Sequence, residues 1–378
     1  MASSAPSPDT SSTAPVNQIE TVPRFALGFP PMKTLPNLLF KPLRLALPIV
    51  LTLTLLPASA LAMGKRSAPP ETTSDSIRLT GPASSIQIPG PGSYRRIIEH
   101  DGQTRFVEIY APPSYRPGVP TPLVFNFHGG GGSPDSARRT TGFNDLADQH
   151  GFLVAYPAGS SADDPEKRLT WNVLVSQTFA TSAGKDDLGF IRALLDDLPQ
   201  LFTVDPRRIY ATGMSQGGML CYRIACDPDL SARFAAIAPV AAVMTVDPDA
   251  CNPARFVSIL HIHGADDEFV PFAGGVGPKL RRLDPVERPP VMDTLRFWID
   301  HNDISATPLQ ERSAGEARLT AFGPEGTQGE VRLWNVGNAG HTWPGGESLL
   351  PAIVLGRTSN DINASELIWD FFRNHRLD

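Results

Sequence analysis

The chain has 378 residues, of which 19% are charged and 41% are hydrophobic, and its formal net charge is −6 at pH 7. This length and composition fit a globular protein with a substantial core, built as one large α/β domain or two smaller ones. The acidic balance and the lack of Lys/Arg runs exclude the usual signature of nucleic-acid binding. We therefore expect no nucleic-acid partner.

The N-terminal segment, residues 1–62, is predicted to be a leader that contains a secretory signal peptide. Basic residues precede the apolar run 45–56, which is followed by small residues with cleavage options after Ala60 or Ala62. The apolar run is shorter than a membrane-spanning helix requires. Prolines interrupt the segment, which disfavours a buried helix. A true start at Met32 would give a signal of normal length. We expect secretion to the extracellular space or the periplasm, with no membrane span in the mature chain.

Residues 63–93 are rich in Ser, Pro, Thr and Gly, a composition that predicts a disordered linker. The folded domain is predicted to occupy 94–378 and to open with a hairpin over 96–110, around an Asp-Gly turn. Buried strands such as 122–127 then alternate with helical patterns such as 186–202. This alternation predicts an α/β fold with a mostly parallel sheet, antiparallel opening strands and helices on both faces. Functional loops belong at the carboxyl edge of such a sheet.

A run of one histidine and four glycines, residues 128–132, follows the buried strand. A phosphate-binding loop would need a Lys followed by Ser or Thr, which this run lacks. A flexible turn is the plain alternative. A backbone N–H near Gly129 or Gly130 can instead stabilise a developing oxyanion, opposite a nucleophile on a neighbouring loop.

The stretch around Ser215 predicts a nucleophile elbow. A β-branched and aromatic strand, 208–212, runs through Gly213 to Ser215 and directly into a helical pattern. Glycines at 213 and 217 are required because a Cβ there would collide with the strand or the helix. The Gln216 N–H then lies at a helix N-terminus, where it can face an oxyanion. A lone Gly-x-Ser-x-Gly also arises by chance, so the prediction needs a base and an acid elsewhere.

The acid and the base are expected on loops after later strands. Strand 258–263 runs into Asp266 and Asp267, which compete for the role of acid. His341 lies on a Gly-flanked loop after strand 331–336, and from there its imidazole can reach a serine while its second nitrogen meets the acid. The chain order of serine, aspartate and histidine is the α/β-hydrolase order.

His261 and His263, with the two aspartates, also resemble a set of metal ligands. Their spacing differs from the common His-x-His-x-Asp-His pattern, and both histidines point to one face of an apolar strand. We therefore expect neither a metal nor another cofactor. His301, in a helical pattern, and His375, near the C-terminus, are expected to be surface residues.

The chain contains three cysteines, Cys221, Cys226 and Cys251. In an exported protein they allow one disulfide and one odd thiol. Cys221 and Cys226 lie on different faces of the helix predicted after the elbow, which disfavours their pairing. We expect a disulfide between Cys226 and Cys251; three reduced, buried thiols are the alternative.

With these motifs the chain resembles the secreted polyhydroxybutyrate depolymerase and feruloyl esterase group of carbohydrate esterase family one, within the α/β-hydrolase superfamily. The most specific match is Gly-His-Thr-Trp-Pro-Gly-Gly at 340–346. The family pattern His-Gly-Thr-Ala-Asp-x-x-Val-Pro places the acid at Asp267, and Gln216 stands where the family usually has Asn or Ser. The other matching stretches are 128–133, 171–172, 186–191, 204–210, 213–219, 261–272 and 361–372.

The resemblance implies a serine esterase that forms an acyl-enzyme. Ser215 would attack the ester, His341 would shuttle the proton, and Asp267 would orient the imidazole. Gln216 and the glycine run would supply the oxyanion hole.

The expected substrates are feruloyl-type esters of plant cell-wall polysaccharides, with polyhydroxybutyrate and acetylated xylan as alternatives, and the protein is expected to be a monomer. Trp171 and Trp343 are candidates for an aromatic wall beside the site, with ordinary packing as the equal alternative. A different class of function, an inactive surface protein that binds carbohydrate, is kept as a hypothesis. A peptidase is the third hypothesis for the function.

Overall fold

The computed structural model describes residues 76–86, 90–175, 178–278 and 286–378. The leader predicted over 1–62, with its signal peptide, lies outside the described residues. Among the helices of the described ranges, none has both the length and the apolar composition that a membrane crossing requires.

A large mixed sheet forms the centre of the fold. The strands, in chain order, are β1 (Ile77–Leu79), β2 (Gly92–His100), β3 (Gln103–Ala111), β4 (Thr121–Phe127), β5 (Leu153–Pro157), β6 (Val204–Met214), β7 (Ala236–Val240), β8 (Ser258–Gly264), β9 (Gly275–Val276), β10 (Glu287–Arg288), β11 (Gln310–Ala314), β12 (Ala317–Phe322) and β13 (Val331–Val336). The 11-stranded sheet has the order β1-β2-β3-β5-β4-β6-β7-β8-β13-β12-β11, and β9 pairs only with β10.

Helices cover both faces of this sheet. They are α1 (Pro134–Thr141), α2 (Phe143–His150), α3 (Phe179–Ser182), α4 (Asp187–Leu201), α5 (Gln216–Cys226), α6 (Pro228–Arg233), α7 (Val291–His301), α8 (Ala352–Leu355) and α9 (Ala364–Arg373). Side chains of α4, α5 and α7 pack in one core cluster, and side chains of α1, α2 and α9 pack in a second.

The centre of the sheet is parallel, and antiparallel strand pairs lie on both sides of it. β5, β4, β6, β7, β8 and β13 pair in parallel, whereas β2 with β3 and β11 with β12 are antiparallel. Every residue of β4 is buried, with Phe125 in the first core cluster and Val124 in the second. A strand buried on both faces reads as a continuous apolar run, which is why the sequence predicted it. The predicted fold class is confirmed.

The part of the predicted linker that the structure describes is ordered. β1 pairs in parallel with β2, and the Arg96 guanidinium donates hydrogen bonds to the carbonyls of Leu79 and Gly81. The same guanidinium forms an ion pair with Asp197 on α4. The prediction of disorder over 63–93 is therefore wrong for this part, because a buried arginine supplies donors that tie the segment to the sheet.

The C-terminal residues also pack against the domain. His375, expected on the surface, is only 4% exposed, and its Nδ1 lies 2.8 Å from the Phe371 carbonyl oxygen. Leu377 N donates to the carbonyl of Arg207, and Arg207 Nε donates to the carbonyl of Leu377. These two bonds fix the end of the chain beside the beginning of β6.

The three cysteines form one disulfide and leave one free thiol. Cys226, the last residue of α5, is bonded to Cys251, and Cys221 is a free, buried thiol whose pKa burial raises well above its ordinary value. The bond ties the helix after the elbow to the loop before β8. Since a buried, protonated thiol is a poor nucleophile, Cys221 is a packing residue.

Candidate active site

Ser215 sits on a strained turn between β6 and α5. Its backbone has φ 56° and ψ −120°, a conformation that residues with a Cβ rarely adopt. The Ser215 N–H donates to the carbonyl of Val240 at 2.9 Å, which holds the turn against β7. A Cβ on Gly217 would lie 2.3 Å from the Phe127 carbonyl oxygen, so only glycine fits there. The chain thus forms the strand, tight turn and helix that the motif predicts, with Ser215 in the turn.

The glycine run lies against this elbow. A Cβ built on Gly129 would lie 3.6 Å from Ser215 Cβ, and one built on Gly130 would lie 2.7 Å from Gln216 Cδ. The Gln216 side-chain oxygen accepts a hydrogen bond from the Trp171 N–H at 3.2 Å. The structure therefore brings the backbone of the run next to the serine and the residue that follows it.

His128 holds the glycine run in place. The Gly159 N–H donates to His128 Nε2 at 3.0 Å, so the proton is on Nδ1, which donates to the Gly129 carbonyl at 2.8 Å. Burial lowers the pKa of His128 to about 4, with a further lowering by the Arg105 charge. A neutral imidazole thus bridges two loops. This role of His128 is not predicted from the sequence, although its place at the start of the glycine run was the available signal.

Neither of the two candidate tryptophans is exposed. The Trp171 ring stacks on His128 with centroids 4.9 Å apart, and its indole N–H donates to the His128 carbonyl. The Trp343 indole N–H donates to Ser365 Oγ at 3.0 Å, and the ring packs edge-on against Phe143. Both side chains are buried, Trp171 at 0% and Trp343 at 2% exposure. The structure places them in the packing role, so they form no aromatic wall open to a substrate.

The imidazole of His341 is hydrogen-bonded to Asp267. Asp267 Oδ2 lies 2.8 Å from His341 Nδ1, and Oδ1 accepts hydrogen bonds from the N–H groups of Phe269 and Val270 at 2.8 and 2.9 Å. Burial alone would raise the pKa of Asp267, but the charge and hydrogen bond of His341 and these contacts outweigh it and lower the pKa. Asp267 is therefore ionised at neutral pH. Its neighbour Asp266 is exposed to solvent and is not the partner of the histidine.

The loop that carries His341 is fixed by its backbone. The His341 N–H donates to the Leu355 carbonyl at 2.6 Å, and the ring stacks on Phe269 with centroids 5.2 Å apart. A Cβ on Gly340 would lie 2.3 Å from the same Leu355 oxygen, which explains the glycine. Because Asp267 accepts the Nδ1 proton, the lone pair is on Nε2, the nitrogen that a base uses.

Strand order places the three predicted catalytic residues at one edge of the sheet. Ser215 follows β6, Asp267 follows β8, and His341 follows β13, and these strands belong to the parallel centre of the sheet. The carboxyl ends of parallel strands share an edge. A serine on a strained turn, an oriented imidazole and an ionised carboxylate at that edge form an arrangement that can perform acyl transfer.

His261 and His263 are engaged by protein groups. His261 Nδ1 lies 2.7 Å from the Tyr222 hydroxyl, and His263 Nε2 lies 2.8 Å from the Val270 carbonyl oxygen. In the described ranges, no group of three or more His, Cys, Asp or Glu side chains is arranged to hold a metal ion.

An exposed apolar strip flanks the His341 loop. We call it the apolar rim; it consists of Leu349, Leu350, Ile353 and Val354, of which Ile353 is 95% exposed. The rim lies on and just before α8, whose last residue, Leu355, receives the His341 N–H. A cavity of about 220 Å³ between this helix and the loop after β8 is lined by Asp266, Glu268, Phe269 and residues 352–357.

A family model described as Esterase PHB depolymerase matches residues 107–252. That range contains the glycine run and the elbow. NocK of Nocardia uniformis subsp. tsuyamanensis, a protein named as an esterase, is 30% identical over 290 residues, which are 71% of this chain and 79% of NocK. These matches confirm the resemblance that the motifs predicted.

Two further proteins are similar over part of their length or in fold. Feruloyl esterase B of Piromyces equi is 27% identical over 242 residues, and the match spans 63% of this chain but only 42% of that protein. The structure titled acetyl xylan esterase from Aspergillus awamori superimposes with a TM-score of 0.50 at 15% identity, over 71% of this chain and 94% of that one. The second likeness shows a common α/β-hydrolase fold.

Proposed function

This chain belongs to the Esterase PHB depolymerase family of carboxylic-ester hydrolases, and from that premise we propose that it works as a serine esterase through an acyl-enzyme. One observation carries the proposal. The buried 2.8 Å hydrogen bond between His341 Nδ1 and Asp267 Oδ2 lies at the sheet edge that also presents the Ser215 elbow. We assign Ser215 as nucleophile, His341 as general base and acid, and Asp267 as the residue that orients the imidazole.

In the acylation step, Ser215 Oγ bonds to the ester carbonyl carbon while its proton passes to His341 Nε2. The carbonyl oxygen becomes an oxyanion, and the N–H of Gln216 with that of Gly129 or Gly130 stabilises it. Each such donor contributes about 10²- to 10³-fold to the rate. The bond to the alcohol oxygen then breaks, and the imidazolium gives its proton to that oxygen.

Deacylation repeats these transfers with water. A water molecule loses a proton to His341 Nε2 as its oxygen attacks the acyl carbon, and the same donors stabilise the second oxyanion. When the bond to Ser215 Oγ breaks, the imidazolium returns the proton to the serine. The products are a carboxylic acid and an alcohol, and the enzyme regains its starting state.

For the substrate, we propose feruloyl-type esters of plant cell-wall polysaccharides. The likeness to feruloyl esterase B supports this choice, whereas the buried Trp171 and Trp343 no longer contribute to it. We further propose that residues 1–62 direct export and that the catalytic domain begins near β1.

A polyester substrate is the second candidate, favoured by the apolar rim. Its four exposed aliphatic side chains lie beside the loop of the proposed base, where an apolar polymer would contact them. An acetylated xylan would bring a more polar surface to the same place.

The test compares the purified wild type with Ser215→Ala on p-nitrophenyl acetate. We expect the wild type to hydrolyse this ester and Ser215→Ala to lose about 10⁴-fold or more in kcat. If both proteins are equally inert, the chain is not an esterase, and the hypothesis of a silent carbohydrate-binding protein replaces the proposal.

The substrate class is then tested with methyl ferulate, acetylated xylan and polyhydroxybutyrate. Release of ferulate alone supports the first candidate. Release of hydroxybutyrate, reduced when Ile353→Ser interrupts the apolar rim, supports the second.

A further inference from the structure

A row of three buried aromatic side chains ends at the Val270 carbonyl, beside the carboxylate of Asp267. The Tyr222 hydroxyl lies 2.7 Å from His261 Nδ1, and His261 Nε2 lies 3.0 Å from His263 Nδ1. His263 Nε2 lies 2.8 Å from the Val270 carbonyl oxygen and 3.5 Å from Asp267 Oδ2. All three side chains are 0% exposed. The row therefore connects helix α5 with the loop after β8 through the interior.

The hydrogen-bond partners fix where each proton lies. The Val270 carbonyl can only accept, so His263 Nε2 carries a proton. Burial lowers the pKa of His263 and, more strongly, that of His261, so both rings are neutral. His263 Nδ1 therefore accepts from His261 Nε2, and His261 Nδ1 accepts from the Tyr222 hydroxyl. The N–H and O–H groups of the row therefore point in one direction, from Tyr222 to the Val270 carbonyl, and the Val270 N–H in turn donates to Asp267 Oδ1 at 2.9 Å.

We propose that His263, held by His261 and Tyr222, is a positioning residue that keeps the Asp267 carboxylate oriented and ionised for ester hydrolysis. The inference rests on the triad assigned above. It adds residues that act through Asp267 and touch no substrate.

The geometry at Asp267 explains how such a row acts. Oδ1 accepts two backbone N–H groups, whereas Oδ2 faces His341 Nδ1 at 2.8 Å and His263 Nε2 at 3.5 Å. A buried carboxylate needs donors to remain charged, and aligned hydrogen bonds in a low-dielectric interior polarise one another. The His263 N–H donates to the Val270 carbonyl, and the Val270 N–H donates to Asp267 Oδ1. His263 thus fixes a residue that stabilises the anion, and its Nε2 lies 3.5 Å from Oδ2 on the side facing the imidazole.

The surroundings of the row contribute few other charges. On the strands beside β8, Leu333 and Asn335 of β13 are in register with the two histidines, and neither can ionise. Tyr222 stacks on Trp298 of α7, and the titratable neighbour on its own helix is Cys221, whose thiol stays protonated. The groups that set the charge at this end of the site are therefore Asp267, His341 and the row itself.

The test measures kcat/KM against pH for variants of the row. His263→Leu removes the donor to the Val270 carbonyl, and we expect kcat/KM at the optimum to fall about 10- to 100-fold, the range seen when groups that orient a metal-binding histidine are removed. Once Val270 is no longer held, its N–H bond to Asp267 Oδ1 weakens. The carboxylate then accepts more strongly from His341, so the acid limb of the pH profile moves to higher pH. His263→Gln keeps an N–H donor, so we expect it to recover part of kcat/KM and to move the acid limb part of the way back toward that of the wild type.

Tyr222→Phe alters the far end of the row without touching Asp267. We expect a smaller shift of the acid limb in the same direction, because His261 loses the donor that fixes its proton. The matched control is Tyr210→Phe, which removes a buried hydroxyl bonded to the His375 carbonyl, at 2.8 Å, on the other face of the sheet. Tyr210→Phe is expected to have the kcat and the acid limb of the wild type.

The outcomes separate the two proposals. If Ser215→Ala retains full activity, the triad fails and this inference fails with it. If Ser215→Ala is inactive while His263→Leu keeps both the rate and the limb of the wild type, the triad stands and the positioning role is refuted. Should His263→Leu not fold, Tyr222→Phe decides: a limb identical to that of Tyr210→Phe refutes the role.

Discussion

Two adjacent aspartates, Asp266 and Asp267, have very different surroundings. Asp267 is 4% exposed and its two oxygens meet His341 and two backbone N–H groups. The Asp266 side chain points to solvent, and its backbone N–H donates to the Ala339 carbonyl. A single residue step along the chain thus separates an oriented, charged hydrogen-bond acceptor from an ordinary surface carboxylate.

Replacing Asp267 by Asn is expected to reduce kcat on p-nitrophenyl acetate by about 10⁴-fold. The amide keeps the shape of the side chain, but its NH₂ cannot accept the Nδ1 proton, so the imidazole takes the wrong tautomer. Asp266→Asn is the matched control and should stay within about twofold, since this residue has an exposed side chain. Equal losses in the two variants would contradict the assignment of the acid.

At the scale of elements, the stability of the last helix, α9, depends on the hydrogen bonds that cap its first turn. The Asn363 side chain accepts hydrogen bonds from the N–H groups of Ser365 and Glu366, which have no partner within the helix. Helix α9 carries Trp369 and Phe372, both buried in the second core cluster. The cap therefore supports the cover of one face of the sheet.

Asn363→Ala is expected to lower the free energy of unfolding by about 1 kcal/mol, because two donors lose their acceptor. Asn363→Asp keeps the acceptor and adds a negative charge at the helix N-terminus, so its stability should equal or exceed that of the wild type. Urea denaturation followed by tryptophan fluorescence measures both changes. A cost as large for Asp as for Ala would show that the cap is not the cause.

Elements with a strong local pattern could be predicted from the sequence. β13 has the predicted bounds, 331–336, and the hairpin over 96–110 is present with longer strands. β1 could not be predicted because it has only three residues, 77–79, and depends on the distant contacts of Arg96. Short segments held by long-range ion pairs leave no periodic signal.

In the candidate site, too, the residues with a local motif could be predicted from the sequence and the others could not. The elbow and the loop of His341 have local motifs, and the predicted residues lie where those motifs place them. The residues alone could not decide between Asp266 and Asp267. The row behind the acid could not be predicted because Tyr222 lies 41 residues before His263 (263 − 222) and outside the motif of the elbow. The family pattern begins at His263, but it does not show what the imidazole of this residue contacts.

For the whole molecule, a buried charge cluster joins the C-terminus to the sheet. Glu330, just before β13, is hydrogen-bonded by Arg332 and the Gly326 N–H, and its Oε2 lies 3.4 Å from His375 Nε2. Burial alone would raise the pKa of Glu330, but these contacts outweigh it and lower the pKa. A carboxyl whose pKa is lower in the folded state stabilises the fold above its unfolded pKa, about 4.3.

This stabilisation is lost as the pH falls from about 4.3 through the lower folded pKa of Glu330. In urea denaturation over a pH series, the wild type should lose stability more steeply in this window than Glu330→Gln. Glu325→Gln is the control, since Glu325 also contacts Arg332 but is largely exposed. Parallel curves for the wild type and Glu330→Gln would contradict the prediction.

The pairing of Leu377 with Arg207 has a practical consequence for handling the protein. Arg207 lies near the beginning of β6 and Ser215 just beyond its end, so about eight residues of extended chain, roughly 26 Å, separate the C-terminus from the serine. A resin or electrode coupled through a C-terminal extension would therefore hold the described domain with the edge that carries Ser215 facing the bulk liquid. Insoluble polymer particles would then meet that edge without obstruction from the support.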